Sequence, residues 1–118
     1  MKSYIMLIVG LLSSYSYGAY EILAPEVAFP MELKCSKRCT LTISPVLGHY
    51  VYDNIKIKTQ DKEIPITIKG QFEVINNKKS YTQLQVSFSK VKDIEVYYQG
   101  CKESVFCYAV QKRTFSVK

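Results

Sequence analysis

The sequence predicts a small all-β protein built as a two-sheet sandwich. Apolar and polar residues alternate with a period of two over several short stretches, and turn-forming residues separate these stretches. β-Branched and aromatic residues are enriched in the same stretches, as is typical of strands. Seven or eight such strands in 118 residues favour a single sandwich domain, because each strand has one apolar face to bury.

The chain begins with the pattern of a secretory signal peptide. Lys2 gives a positively charged start, an apolar run follows, and Ser16 and Gly18 place small residues at the −3 and −1 positions of a cleavage site. The apolar run is too short to cross a bilayer comfortably. We therefore expect a signal peptide over residues 1–18 and an exported, soluble mature domain over residues 19–118.

Five stretches after the signal carry the strand pattern most clearly. They are residues 41–44, 50–58, 84–89, 94–98 and 114–117. Turn signals lie between them, at residues 45–48, 61–62, 70, 76–79, 92–93 and 100. The mature chain has no stretch with a convincing helical period, which agrees with an all-β class.

Composition excludes several classes of function. The formal net charge is +6, but the lysines are dispersed as on solvated strands and turns, so we expect no nucleic-acid partner. His49 is the only histidine, and the chain has neither a nucleophile-elbow motif nor a glycine-rich phosphate loop. A hydrolase or a nucleotide enzyme is not expected. His49 would either tune a cysteine thiolate nearby or occupy a partly exposed strand start.

The four cysteines are the residues best suited to chemistry, because export places them in an oxidising compartment. Four cysteines allow three pairings, and proximity favours Cys35 with Cys39 and Cys101 with Cys107. A bridge over the roughly seven residues from Cys101 to Cys107 stabilises by only about 2–2.5 kcal/mol on the chain-entropy model. The pair is better suited to a reversible dithiol, because both sulfurs are expected on one tight, exposed element of the chain. One thiolate would attack a partner's disulfide, and the other would resolve the mixed disulfide that forms. A purely structural hairpin bridge is the alternative.

Residues close to this pair in the sequence fit the redox interpretation. Gly100 permits a tight turn or a close backbone approach. Lys102, Lys112 and Arg113 would lower the pKa of a nearby thiolate. Tyr108 offers apolar cover against stray oxidants.

Cys35 and Cys39 are separated by three residues, which leaves two interpretations. They form either a second redox pair or a structural bridge across a tight turn that fixes the register of two strands, and we expect the structural bridge. No metal site is expected, since one histidine and two isolated thiols do not complete a zinc ligand set.

The cysteine segment also resembles a known family. Residues 96–101, five intervening residues and then Cys107-Tyr108 resemble the active-site segment of the N-terminal periplasmic domain of the thiol:disulfide interchange protein DsbD. Residues 23–29 and 48–52 resemble two further segments of that domain. The resemblance covers nearly the whole mature chain, and the cysteine segment is its most specific part.

The resemblance implies an immunoglobulin-like sandwich in the periplasm, without a cofactor, that exchanges electrons with thioredoxin-fold oxidoreductases and disulfide isomerases. It implies that Cys107 forms the mixed disulfide with a partner and that Cys101 resolves it. It also implies that Tyr50 and Tyr52 pack beside the cysteines and shape their environment.

Three departures from the family pattern are visible. The family covers its cysteines with a cap loop, and the best match, residues 66–74, lacks the expected acidic and aromatic residues; Phe72 would take over the cover. Ala109 replaces the usual proline after Cys107-Tyr108. No membrane or thioredoxin-like domain accompanies the chain, so we expect a separate membrane electron donor. The alternative functions are a secreted immunoglobulin-like binding or assembly module with structural disulfides, and a redox-regulated accessory domain with one client.

Overall fold

The structure, a computed structural model, describes residues 22–117, and the predicted signal peptide lies outside them. One helical turn precedes eleven strands within this range. In chain order they are α1 Pro25–Ala28, β1 Met31–Cys35, β2 Arg38–Ile43, β3 His49–Tyr52, β4 Lys56–Thr59, β5 Lys62–Ile64, β6 Thr67–Ile75, β7 Lys78–Ser89, β8 Asp93–Tyr98, β9 Gly100–Lys102, β10 Phe106–Cys107 and β11 Gln111–Ser116. Among these residues no helix is long and apolar enough to cross a membrane.

The strands form two antiparallel sheets. The larger sheet has seven strands in the order β1-β2-β7-β3-β9-β10, with β6 paired to β7 as well. The smaller sheet has four strands in the order β11-β8-β4-β5. The predicted all-β sandwich of two sheets is therefore confirmed.

The core lies between the two sheets and follows the predicted alternation. The larger sheet contributes Leu41, Val51 and Val86, and the smaller sheet contributes Ile57 and Val96, all with no exposed surface. Burying one such aliphatic side chain stabilises the fold by about 1.5–3 kcal/mol. The period-two pattern over residues 84–89 and 94–98 predicts the inward positions of Val86 and Val96 correctly.

β7 organises the larger sheet because it pairs with three strands. Its second half pairs with β2, residues 80–81 pair with β3, and most of its length pairs with β6. The β6 register shifts between Gln71 and Phe72, so that Thr82 is an extra residue on β7. Such a bulge reverses the alternation locally. It allows both Tyr81 and Leu84 to reach the core.

The structure corrects two expectations about local structure. Residues 50–58 are not one strand: β3 lies in the larger sheet and β4 in the smaller, because the chain crosses between sheets after the turn-forming residues Asp53 and Asn54. Gly70 and Gly100 lie within strands rather than in turns. A side chain at either position would overlap a neighbour, the carbonyl oxygen of Gln83 or the ring of Phe29.

Candidate functional site

The second cysteine pair joins two directly paired strands. Cys101 on β9 lies opposite Cys107 on β10, and the two form a disulfide with their Cα atoms 3.9 Å apart. The hairpin turn that connects the strands is closed by the Val105 amide, which donates to the Lys102 carbonyl at 3.0 Å. Ser104 adopts a positive φ of 62° in this turn. The structure thus pairs the cysteines as proximity in the sequence favours.

The two sulfur-bearing residues differ in exposure. Cys101 has no exposed surface, whereas Cys107 is exposed. The expectation that both sulfurs lie on an exposed element was therefore wrong for Cys101. The cause is topological: β9 lies between β3 and β10, whereas β10 is the edge strand of the sheet. An incoming thiol or disulfide can therefore reach Cys107 but not Cys101.

Two tyrosines surround the disulfide on the outer face of the larger sheet. Because Val51 points into the core, its neighbours Tyr50 and Tyr52 point to the opposite face, where they form a separate buried cluster with Cys101. The tyrosine rings meet edge to face with centroids 5.5 Å apart. The Tyr52 hydroxyl lies 3.6 Å from the Sγ atom of Cys107.

Burial raises the pKa of Tyr50 to about 12, and the neighbouring Tyr52 and the charge of Glu103 act in the same direction. The Tyr50 phenol is therefore neutral at physiological pH. It gives Cys101 a neutral neighbour directly across the β3–β9 pairing.

The β6–β7 hairpin covers one side of this cluster with its tip. Asn76 and Asn77 form the tip with φ values of 55° and 64°, the left-handed pair typical of a tight hairpin turn. Ile75, just before the turn, packs against the cluster of Tyr50, Tyr52 and Cys101. The cover therefore comes from a strand and a tight turn.

Phe72, the residue expected to provide cover, lies elsewhere. It packs on Tyr81 with ring centroids 5.3 Å apart. Tyr81 belongs to the core, and its strand neighbour Ser80 lies opposite Tyr52, so Phe72 is on the other face of the sheet from the disulfide. The structure does not bring Phe72 together with the cysteines.

The core side of β9 rests on an aromatic cluster. Phe29 packs so closely under Gly100 that a Cβ atom there would overlap its ring. Its ring also meets His49 and Tyr108 edge to face, with centroids 5.7 Å and 5.3 Å away. The Tyr108 hydroxyl donates to the Leu23 carbonyl at 2.6 Å. Gly100 thus lets the β9 backbone approach the Phe29 ring closely, which is one of the two roles predicted for it.

His49 and Tyr108 support the site from beneath instead of lining it. His49 is buried, with 5% of its surface exposed, and lies on the core face of β3. Both predictions for this residue, a partly exposed strand start and a contact with a cysteine thiolate, are therefore wrong. Tyr108 follows Cys107 and turns to the core, and burial raises its pKa. Both residues hold Phe29 in place.

The cations near the pair in sequence do not approach it in space. Lys112 pairs with Glu95 in the smaller sheet at 3.8 Å. Arg113 lies over the ring of Phe115, 5.5 Å from its centroid. Lys102 follows Cys101 on β9 and so points to the opposite face. The cation that does reach the site is Lys78, with its Nζ atom 4.6 Å from the centre of the Tyr52 ring.

Ile75 and Lys78 are therefore the site residues that sequence reasoning missed. The available signal was the Asn76-Asn77 pair, which marks a hairpin tip and makes Ile75 and Lys78 direct cross-strand partners. That signal does not reveal which surface the tip covers.

The first cysteine pair has similar backbone geometry in a different setting. Cys35 on β1 lies opposite Cys39 on β2, with a disulfide and a Cα separation of 4.0 Å. Cys39 is fully buried in the main core beside Phe88, its partner on β7. Over residues 22–117 no group of three or more histidine, cysteine or acidic residues could hold a metal ion.

Fold and site together define a class: a sandwich domain with a cysteine pair linking an inner strand to an edge strand. The structure is similar to the N-terminal domain of DsbD from Neisseria meningitidis, crystallised in its reduced form, with a TM-score of 0.67. The match covers 85% of this chain and 92% of that domain at 23% identity. No family model and no curated protein matches the sequence. The predicted DsbD N-terminal-like fold is thus confirmed.

Proposed function

We propose that the protein is a periplasmic thiol–disulfide exchange protein that passes electrons between thioredoxin-fold oxidoreductases through Cys101 and Cys107. The observation that carries this proposal is the asymmetry of the pair. Cys107 is an exposed residue that a partner can contact, whereas Cys101 has no exposed surface and has Cys107 as its disulfide partner. Thiol–disulfide exchange requires one sulfur that attacks the partner and a second sulfur that resolves the mixed disulfide.

The reduced pair would donate electrons in two balanced steps. The Cys107 thiolate attacks one sulfur of a partner's disulfide, which forms a mixed disulfide and releases one partner thiolate. The Cys101 thiolate then attacks the Cys107 sulfur, which restores the Cys101–Cys107 disulfide and releases the second partner thiolate. Two electrons have passed to the partner, and the reverse sequence reloads the pair from a dithiol donor.

The surroundings support this chemistry. The outward-facing disulfide lies apart from the main core, so opening it breaks no core packing. The DsbD N-terminal-like fold supports a thioredoxin-fold partner, a disulfide isomerase among the candidates, and a membrane electron donor.

Trapping of the intermediate tests the proposal. All variants carry Cys35→Ala and Cys39→Ala, and the probe is a purified thioredoxin-fold disulfide isomerase in its oxidised form. Reduced Cys101→Ala should form a covalent adduct that dithiothreitol reverses, since the resolving sulfur is gone. Cys107→Ala should form none, because buried Cys101 cannot reach the probe.

The outcome also separates the alternative function. A binding or assembly module with structural disulfides would give no adduct with either variant and would unfold when the Cys101–Cys107 bridge is reduced. Equal adducts from both variants would contradict the assigned roles of the two cysteines.

A further inference from the structure

Lys78 lies at the tip of the β6–β7 hairpin, next to the cysteine pair. It begins β7, directly opposite Ile75, and Ile75 packs on the cluster formed by Tyr50, Tyr52 and Cys101. Nothing in the local sequence separates Lys78 from the dispersed solvent-facing lysines. Its position comes from the pairing of β3 with β7, which brings the hairpin tip to the disulfide.

The contacts form a short chain from the cation to the exposed sulfur. The Lys78 Nζ atom lies over the face of the Tyr52 ring, 4.6 Å from its centroid. The hydroxyl of that same ring lies 3.6 Å from the Cys107 Sγ atom. One aromatic ring therefore connects the ammonium group with the sulfur that meets the partner.

We propose that Lys78 is a positioning residue for exchange: through Tyr52 it stabilises the thiolate of Cys107 in the reduced protein. A cation over an aromatic face draws on the electron density of the ring, so the phenol hydroxyl becomes a better hydrogen-bond donor. A thiolate is a stronger acceptor than a thiol, so the contact favours the charged sulfur. The biological meaning of this inference rests on the proposed function, whereas its test needs only the ionisation of Cys107.

Other charged and titratable groups near the pair do not provide this effect. Tyr50 from β3 stays neutral because its pKa is raised to about 12. The charge of Glu103, in the hairpin turn, raises the pKa of Tyr50, which is the opposite of the effect of a cation. Lys102 on β9 points away from the face that carries Cys101. Among the described cations, Lys78 alone has a ring contact with a tyrosine that touches Cys107.

The chain supplies a matched control in the next residue. Lys79 also lies over an aromatic ring, with Nζ 4.9 Å from the centroid of Phe72. Neighbouring residues on a strand point to opposite faces, so Lys79 belongs to the face away from the disulfide. Removing Lys79 changes the net charge by the same amount and also removes a cation–π contact.

The test measures how readily Cys107 ionises. The background is Cys101→Ala with Cys35→Ala and Cys39→Ala, which leaves Cys107 as the single thiol. Its alkylation by iodoacetamide is followed by mass spectrometry from pH 5 to pH 10. At pH 6 the rate follows the thiolate fraction, and Lys78→Met should lower it by up to about threefold, because only the part of the cation–π interaction that is stronger with the thiolate than with the thiol is lost.

Three comparisons make the result specific. Lys79→Met should leave the rate unchanged within error. Lys78→Arg should retain most of the rate, because a guanidinium also stacks on a tyrosine ring. Lys78→Met should have little effect once Tyr52 is changed to Phe, since the hydroxyl that transmits the effect is then absent.

Two results would overturn the proposal. Equal slowing by Lys78→Met and Lys79→Met would reduce the effect to net charge, and an undiminished effect of Lys78→Met in the Tyr52→Phe background would exclude the route through the hydroxyl. Alkylation needs no protein partner. A Cys107 that ionises independently of Lys78, in a protein that still forms the trapped adduct, would therefore refute this inference while the proposed function stands.

Discussion

The molecule contains nearly the same covalent unit twice, in two regions with different surroundings. Both disulfides join directly opposed residues of a hairpin, with Cα separations of 4.0 Å for Cys35–Cys39 and 3.9 Å for Cys101–Cys107. In each pair one cysteine is fully buried. Cys39 lies opposite Phe88 near the end of β7, whereas Cys101 is separated from β7 by β3 and lies opposite Tyr50.

The difference lies in what each bridge faces. The Cys35–Cys39 bridge faces the main core, where Cys39 packs beside Phe88 and Cys35 adds partly buried apolar surface. The Cys101–Cys107 bridge faces outward into a small cluster with two tyrosine hydroxyls and a lysine. The two bridges thus share their strand pairing and differ in their neighbouring side chains. Under the proposed function, these neighbours are what distinguishes a structural bridge from an exchangeable one.

The largest change in the Cys101–Cys107 region should come from Gly100→Ala, which leaves the Cys35–Cys39 region undisturbed. The new methyl group overlaps the Phe29 ring, so the ring and β9 must move apart, and we expect the movement to displace Cys101. Overpacking of this kind costs about 1–3 kcal/mol. Urea unfolding should show the loss, and alkylation of the reduced protein should show that Cys101 has become accessible.

Gly70→Ala is the matched control for that change. A methyl group there overlaps the Gln83 carbonyl and the Leu84 backbone, so a similar loss of stability is expected. Gly70 is five residues from Ile75 on β6, and Cys101 should stay protected. Equal exposure of Cys101 in both variants would mean that general loosening, and not the Phe29 contact, controls its burial.

A smaller effect on the Cys101–Cys107 region is expected when the Cys35–Cys39 region is changed. Replacing Cys35 and Cys39 together by alanine opens a five-residue loop and should lower the free energy of unfolding by about 2 kcal/mol on the chain-entropy model. The rate at which Cys101–Cys107 exchanges with a small dithiol should not change. A marked loss of exchange would show that the two regions are coupled and that the comparison fails.

The smallest effect is expected from Tyr50→Phe, and only at high pH. The Tyr50 pKa is raised from 10.0 to about 12 in the folded protein, so between these values the unfolded chain has lost the proton that the folded protein retains. Stability should therefore fall as the pH rises from 10 to 12, and Tyr50→Phe should weaken that fall while leaving neutral pH unaffected. Urea unfolding of the wild-type protein and of Tyr50→Phe at pH 9, 10 and 11 measures the free energy of unfolding. The same pH dependence in the two proteins would contradict the burial of the Tyr50 phenol.

The sequence was sufficient for the fold class and for the positions that build the core. Alternation over residues 84–89 places Leu84, Val86 and Phe88 inward, because period two is a local property of a strand. The same signal cannot locate a change of sheet, so residues 50–58 resemble one strand although β3 and β4 belong to different sheets. Asp53 and Asn54 are the only local indication of that crossing.

The candidate site was predictable only in part, because local sequence identifies its cysteines and tyrosines but not the contacts made by strand pairing. The cysteine spacing and the likeness to the DsbD N-terminal domain identify the pair and its tyrosines from local sequence. The burial of Cys101, the role of Ile75 and the approach of Lys78 depend on β3 pairing with β7 and β9, which are far away in sequence. Phe72 was placed at the site because residues 66–74 were expected to form a loop, whereas most of them form β6.

The reduction potential of the Cys101–Cys107 pair tests the central claim most directly. The protein would carry Cys35→Ala and Cys39→Ala, be equilibrated in graded thiol buffers, alkylated and weighed. We expect a potential clearly above about −300 mV with the fold retained on reduction, which places the pair among exchangeable disulfides. A potential below that value, with unfolding on reduction, would make the bridge structural and would contradict the proposed function.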